Sequence, residues 1–119
     1  DMLKALIERG AIIGAAMDAW MIVPGWVRKV STPLQAACNL EALVNHIDHI
    51  CQLAGNTKHI CIGSDLDGGF GKEQCPYDID TIADLQKFPA LLASKGYTAQ
   101  DIEAFMFGNA LQFIQKAWS

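Results

Sequence analysis

The stretch HICIGSDLDGGFG, residues 59–71, passes from an apolar run into two aspartates and a cluster of glycines. Its first six residues, 59–64, predict a short strand bounded by turn residues. Asp65 follows where this strand ends. In parallel α/β folds, the carboxyl ends of the strands form the edge at which ligands and catalytic groups gather. The stretch therefore predicts an α/β fold with Asp65 at an edge suited to function.

The segments before this strand complete a βαβ unit. LEALVNHIDHICQLA predicts a helix that begins after Asn39 as N-cap and ends at Gly55. Before it, AIIGAAMDAWMIV is almost wholly apolar and predicts a buried strand through about Met17. A strand that is apolar on both faces belongs in a parallel sheet covered by helices. With a leading helix over residues 1–9, the order helix, strand, helix, strand predicts one right-handed βαβ unit.

The chain after the aspartate loop is predicted to be helical to its end. DTIADLQKF, residues 80–88, predicts a short helix that Pro89 breaks and PALLASK continues. Thr98 gives a capping-box-like start to a last, longer helix. Gly108 and Asn109 are expected to kink or split that helix.

The composition predicts more apolar surface than a small independent domain buries. The chain has 119 residues, of which 51% are hydrophobic and 18% charged, and the charged fraction is below ordinary globular usage. Two parallel strands cannot form an independent sheet, because both outer edges would present unpaired backbone groups. We expect residues 1–119 to be a single partial domain whose neighbouring strands come from elsewhere.

Charge and hydropathy exclude two classes of partner. The formal net charge is -4 and the chain has no basic stripe, so a nucleic-acid partner is not expected. No uncharged apolar stretch reaches the roughly 20 residues of a membrane span. The nearest, residues 11–23, contains Asp18.

The four cysteines are spaced widely and form no C-x-x-C pair. Because small disulfide scaffolds carry denser cysteine, this spacing favours reduced thiols and a cytoplasmic location. The sequence begins with Asp1 rather than Met, which suggests either processing or a piece of a longer chain.

The residues of the D-x-D-G loop leave several interpretations open. Asp65 and Asp67 can cap a turn by binding backbone N–H groups, as aspartates do in many glycine-rich loops. A calcium loop of EF-hand type is excluded, since its twelfth position is Pro76 rather than Glu. A phosphate cradle is disfavoured because two carboxylates would repel the anion. An aspartyl-nucleophile phosphatase remains an alternative, with Asp65 attacking and Asp67 as acid and base.

Several motifs in order resemble the carboxyl-terminal end of the membrane (renal) dipeptidase family, metal-dependent members of the amidohydrolase superfamily. They are HIDHICQLAG, HICIGSDLDGGFG and DLQKFPALLASKGYTAQDIEAFMFGNALQFI, and DMLKALIERGAIIGAAMDAWM resembles the preceding helix and strand. The resemblance covers nearly the whole chain. It implies a (β/α)₈ TIM-type barrel, of which this chain would contribute the last two strands with their helices.

The resemblance also implies a chemistry. Family members hold two zinc ions, whose ligands lie on strands that have no counterpart here, so no metal ligand is expected in this chain. Asp65 is expected to be catalytic and to bind substrate, because in the family the first aspartate of G-S-D-x-D-G engages the substrate's amino group and moves a proton. Asp67 is expected to anchor the loop. AAMDAW departs from the family's pocket-lining sequence, and Trp20 is a candidate aromatic wall of the substrate site, with Asp18 a weaker candidate.

Other chemically suggestive side chains are interpreted as structural. His46, Asp48 and His49 lie on a helix with no further convergent ligand than Cys51, so hydrogen bonding and helix packing are favoured over zinc binding. The strand-opening His59 is also expected to be structural. The remaining aromatic residues are expected in the core or at an interface, namely Trp26, Trp118, Phe105, Phe107 and Phe113.

Together these inferences predict a fragment of a zinc-dependent dipeptidase that acts on dipeptides or related small amides and is inactive alone. The missing strands are expected from a second copy or a complementary chain. The alternatives are the aspartyl phosphatase and a non-enzymatic interaction module completed by a partner chain.

Overall fold

A computed structural model describes all 119 residues. The regular elements are α1 (Met2–Glu8), β1 (Ile13–Ala15), α2 (Ala19–Ile22), α3 (Leu40–Ala54), β2 (Ile60–Ile62), α4 (Phe88–Ser94), α5 (Ala99–Glu103) and α6 (Asn109–Trp118). Two 3₁₀ turns cover Lys72–Gln74 and Ile82–Lys87, and a π-helical turn covers Ala104–Gly108. The predicted order of helix, strand, helix, strand and then helices is confirmed, with one additional short helix, α2, between β1 and α3.

β1 and β2 form a two-stranded parallel sheet. Ile13, Gly14 and Ala15 lie opposite Ile60, Cys61 and Ile62. Backbone bonds continue the pairing on both sides, from Ile13 N–H to the His59 carbonyl at 2.7 Å and from Met17 N–H to the Ser64 carbonyl at 3.0 Å. This is compatible with the predicted α/β class, while the barrel itself is an inference from the resemblance.

The two strands approach unusually closely at a pair of glycines. A Cβ placed on Gly63 would lie 2.9 Å from the Cα of Gly14, and one on Gly14 would lie 3.1 Å from the Cα of Gly63. Backbone atoms cannot yield as a flexible side chain can, so neither position has room for a larger residue. The close approach brings together the loops that follow the two strands.

The outer edges of this sheet differ. On the β2 side, the Asn109 side-chain amide donates to the carbonyls of Thr57 at 2.6 Å and Ile60 at 2.8 Å. This buried amide lies at the junction of the π-helical turn and α6, where the sequence predicts a split. The opposite edge of β1 has no strand partner. An edge of that kind is a template for pairing with another strand.

The core lies between the sheet, α3 and the last helices. The apolar stripe of α3 is buried as predicted, and Asn39 caps the helix by accepting from Ala42 N–H at 2.8 Å. Phe88 and Phe105 are fully buried and meet edge to face, with ring centroids 5.2 Å apart. The predicted capping box of α5 is present between Thr98 and Asp101.

Many large apolar side chains remain exposed. On the last helices, exposed apolar residues follow one another at intervals of four, three and four along one stripe: Phe107, Leu111, Ile114 and Trp118. That spacing is typical of a helix face that packs against another element. Trp118, at 85% exposure, and Phe113 are not core residues in this structure, whereas Phe105 is.

The short helix α2 was not predicted. The sequence reads as one apolar run from residue 11 to 23, but the Asp18 side chain accepts a hydrogen bond from Trp20 N–H at 3.0 Å and starts a helix there. Because Asp18 acts as an N-cap, a helix begins after it even though the apolar run continues to residue 23.

The four cysteines are all free and buried, as the reduced-thiol prediction requires. Burial, with the neighbouring Cys75 thiol, raises the pKa of Cys38 to about 11. Burial also raises the pKa of Cys51, Cys61 and Cys75. These thiols are therefore protonated near neutral pH, which disfavours a nucleophilic or metal-binding role. None of the helices combines the length and apolar character that crossing a membrane requires.

Candidate active site

The candidate site lies at the carboxyl ends of the two strands. The strand pairing ends at Met17 and Ser64, whose backbones are hydrogen-bonded. Asp18 and Asp65 each come directly after one of these residues. The close strands thus start two loops from the same edge of the sheet, each with a carboxylate at its first position. This is the edge where parallel α/β proteins place their chemistry.

Asp65 combines an uncommon backbone conformation with a side chain that forms no hydrogen bond. It adopts a left-handed backbone conformation with φ of 57°, which is uncommon for a residue with a side chain. Its carbonyl accepts from Gly68 N–H at 2.9 Å and closes the turn. Its side chain is exposed and makes no hydrogen bond. The carboxylate is therefore available to a ligand.

The loop leaves little room for a side chain at Gly68, chiefly because the Asp65 carbonyl oxygen is close to it. A Cβ at this position would lie 2.1 Å from Oδ1 of Asp65 and 2.9 Å from its carbonyl oxygen. The missing side chain lets the Asp65 carboxylate lie against the loop backbone. The turn is therefore held by Asp65 and Gly68, and the expectation that Asp67 anchors it is wrong, because the exposed Asp67 side chain forms no hydrogen bond.

Asp18 is a buried carboxylate with a different environment. Its residue exposure is 4%. One oxygen, Oδ1, accepts from Gln74 Nε2 at 2.7 Å and from Trp20 N–H at 3.0 Å. Through Gln74, Asp18 ties the loop after β2 to the loop after β1. Its observed role is to cap α2 and to position the two loops.

A cleft of about 510 Å³ opens between these two loops. The first loop contributes Trp26 and residues 28–33, and the second contributes residues 68–70, Glu73 and Gln74. Asp18 lies between them, and Asp65 adjoins the cleft through Gly68. Only three of the 13 lining residues are hydrophobic, which favours a polar ligand.

Trp20 lies beside this cleft rather than among its lining residues. It is 54% exposed, and the Arg28 guanidinium stacks over its ring at 4.6 Å. Such a cation–π contact holds the guanidinium in a defined place. A direct contact between Trp20 and substrate stays a prediction.

The helical histidines and Asp48 are not brought into this site. His46 and His49 are exposed on α3. Asp48 accepts from the Tyr97 hydroxyl at 2.5 Å, and this hydrogen bond lowers the pKa of Asp48. Burial and the same bond raise the pKa of Tyr97. His59 binds the Ala11 carbonyl through Nδ1 at 2.8 Å. The contacts of Asp48 and His59 agree with the structural interpretation, whereas His46 and His49 form no side-chain hydrogen bond.

The residues do not fit a metal site. Across the 119 residues, no group of three or more histidine, cysteine, aspartate or glutamate side chains could hold an ion. Protein zinc sites use at least three such ligands. No cluster of side chains in this chain reaches that number of ligands.

Two features of the site were not predicted from the sequence. Trp26 belongs to the core, as expected, but its position in the lining of the cleft, with its buried indole N–H unpaired, was not predicted. Gln74 was not singled out, although it joins the two loops. Both features depend on loop conformations that residue spacing does not specify.

Comparison with known proteins identifies the family. A search of curated proteins gave no match. The family model described as Membrane dipeptidase (Peptidase family M19) matches residues 1–118. This agrees with the motifs around HIDHI and SDLDGG and with the placement of Asp65 at the end of a parallel strand. The chain therefore belongs to the membrane dipeptidase family of peptide hydrolases.

Proposed function

We propose that this chain forms one wall of the active site of a zinc-dependent dipeptidase that hydrolyses dipeptides or related small amides. Asp65 is its catalytic and substrate-binding residue. The observation that carries the proposal is the Asp65 carboxylate, exposed and without a hydrogen bond at the carboxyl end of β2, in a chain of the membrane dipeptidase family.

Asp65 would first accept and then donate the proton that is transferred during amide hydrolysis. The oxygen of water bonds to the amide carbon, and the carbon–nitrogen bond breaks. Asp65 accepts the proton that the water loses and donates it to the departing amine nitrogen, so the carboxylate is regenerated. The same carboxylate attracts the protonated amino group of a dipeptide, which places the substrate beside it.

The zinc is proposed to be held by residues outside these 119. This follows from the family resemblance together with the lack of a metal-binding group in the chain. The chain alone is accordingly proposed to be inactive.

We also propose that a partner, either a second copy or a complementary chain, supplies the neighbouring strands. The open edge of β1 and the exposed apolar stripe on the last helices support it. The TIM-type barrel is the arrangement that the family resemblance implies. A cytoplasmic location remains a prediction, which the four free thiols support.

The proposal is tested by assaying the full natural chain, purified with zinc, on alanyl-alanine and on p-nitrophenyl phosphate. We expect release of alanine, no release of phosphate, and no turnover of either substrate by the 119-residue chain. Release of phosphate that needs magnesium and Asp65, without alanine release, would instead support the aspartyl phosphatase.

A further inference from the structure

A second cavity, of about 670 Å³, lies at the amino ends of the two strands. Its walls are the residues just before β1, Lys58 and His59 at the start of β2, and one face of α6. His59 precedes Asp65 by six residues, which in an extended chain corresponds to about 20 Å. This amino-end cavity is therefore separate from the candidate active site at the other edge of the sheet.

The charge of the amino-end cavity is opposite in sign to that of the whole chain. None of its 9 lining residues is acidic, whereas Lys58 and Lys116 both line it. The chain as a whole has 13 acidic residues against 9 lysines and arginines, and a formal net charge of -4. A concave surface lined by charges of one sign concentrates ions of the opposite sign. The amino-end cavity is thus suited to an anion.

The two lysines of this cavity carry no compensating charge. Both side chains are exposed, and neither amine forms an ion pair, because the two ion pairs of the structure lie between residues 72 and 87. Asp101 shares a neighbouring pocket with Lys58. Its carboxylate already accepts from the hydroxyls of Thr57 and Thr98, each at 2.9 Å. Both amines are therefore available to a ligand.

The face of α6 that lines the cavity is fixed against the strands. Asn109, the first residue of α6, donates through its buried amide to the carbonyls of Thr57 and Ile60. Phe113 and Lys116 follow Asn109 at intervals of four and seven residues, so they lie on the same side of the helix. This anchor places the second lysine and the ring beside the start of β2.

Uncharged groups complete the lining. Gln112 and Gln115 line the cavity, and neither side chain forms a hydrogen bond, so their amides can donate to ligand oxygens. His59 binds the Ala11 carbonyl through Nδ1 at 2.8 Å. Because a carbonyl oxygen only accepts, Nδ1 donates, and Nε2 is left without a partner. Phe113 is 44% exposed and gives the cavity an apolar wall.

We propose that the amino-end cavity binds a small phosphate ester, with Lys58 and Lys116 at the phosphate and Phe113 against the organic group. A phosphate ester carries a charge of about -1.5 to -2 near neutral pH, and lysine binds phosphate as a point charge. The cavity volume lies within the range of about 300–1,000 Å³ that is typical of small-ligand sites. The inference does not rest on the proposed dipeptidase activity, since it concerns a second site remote from Asp65.

Calorimetry with the full natural chain tests the ligand class, at pH 8 and about 0.15 M salt to screen distant charges. Phenyl phosphate and phenyl sulfate share the ring but differ in charge, and we expect the phosphate to bind about tenfold more tightly. Methyl phosphate keeps the phosphate charge but lacks the ring. We expect it to bind about threefold to tenfold more weakly than phenyl phosphate, because it makes no contact with Phe113.

Two variants test the residues. Lys58→Gln/Lys116→Gln is expected to weaken binding of phenyl phosphate at least about tenfold and to remove its advantage over phenyl sulfate. Phe113→Ala is expected to bring phenyl phosphate and methyl phosphate to the same affinity. The matched control, Lys4→Gln/Lys29→Gln, removes the same charge from two exposed lysines outside the cavity that form no ion pair. It is expected to bind as the parent protein does, and circular dichroism verifies the fold of each variant.

The inference is overturned if the parent protein does not bind phenyl phosphate, or if the control loses as much affinity as Lys58→Gln/Lys116→Gln. The second result would mean that overall charge, rather than this cavity, attracts the anion. The alanyl-alanine assay is a separate measurement. A protein that binds phenyl phosphate as expected but releases no alanine keeps this inference and contradicts the proposed function, and the reverse result does the opposite.

Discussion

Replacing Asp65 by asparagine is expected to lower kcat for alanyl-alanine hydrolysis about 10²–10⁴-fold in the full natural chain. Asparagine keeps the size of the side chain but cannot accept and return the proton. It also tolerates the left-handed backbone conformation that Asp65 adopts, so the turn should stay folded. Steady-state kinetics, with thermal unfolding to verify the fold, measures the effect.

Asp67→Asn is the matched control for this variant. It removes the same charge two residues later in the same loop, from an exposed side chain that forms no hydrogen bond. We expect a change in kcat below about threefold. Equal losses in both variants, or an active Asp65→Asn protein, would show that Asp65 does not move the proton.

Replacing Phe105 by alanine is expected to lower the free energy of unfolding by about 3–5 kcal/mol. The ring is fully buried and meets Phe88 edge to face. Alanine is the most favourable residue in helices, so the loss would come from the cavity and the lost ring contact rather than from local helix formation. Urea unfolding followed by circular dichroism measures it.

Phe105→Leu is the control variant, because it removes the aromatic ring but leaves a smaller cavity than alanine does. Leucine fills most of the space, so we expect less than half of the loss seen with alanine. A loss below about 1 kcal/mol in Phe105→Ala would contradict the assignment of this ring to the core.

Much of the secondary structure was accessible from the sequence because local signals agree with one another. Asn39 and Gly55 bound α3 as predicted, and its apolar stripe is the face that packs. The capping box at Thr98 was also predictable from its residue types. At Gly108 and Asn109 the helical backbone continues, and the irregularity takes the form of a π-helical turn over Ala104–Gly108. Tertiary contacts reinforced these signals rather than overriding them.

The site could be predicted from the sequence only in part. The position of Asp65 follows from the end of an apolar strand, and its proposed role comes from a family motif. The availability of its carboxylate, however, depends on the close approach at Gly68, and the link between Asp18 and Gln74 joins residues far apart in sequence. The assignment of the anchoring role to Asp67 failed because a D-x-D-G pattern does not specify which aspartate the turn uses. Contacts between loops determine which side chain a turn uses, and residue spacing in the sequence does not predict those contacts.

The central claim is that these residues form one wall of a dipeptidase site whose metal is held elsewhere. Native mass spectrometry of the 119-residue chain, combined with metal analysis and the alanyl-alanine assay, tests it most directly. We predict that the chain alone binds no zinc, associates with itself, and hydrolyses nothing. A stable monomer that binds zinc and cleaves alanyl-alanine, or a metal-free monomer with phosphatase activity, would contradict the account.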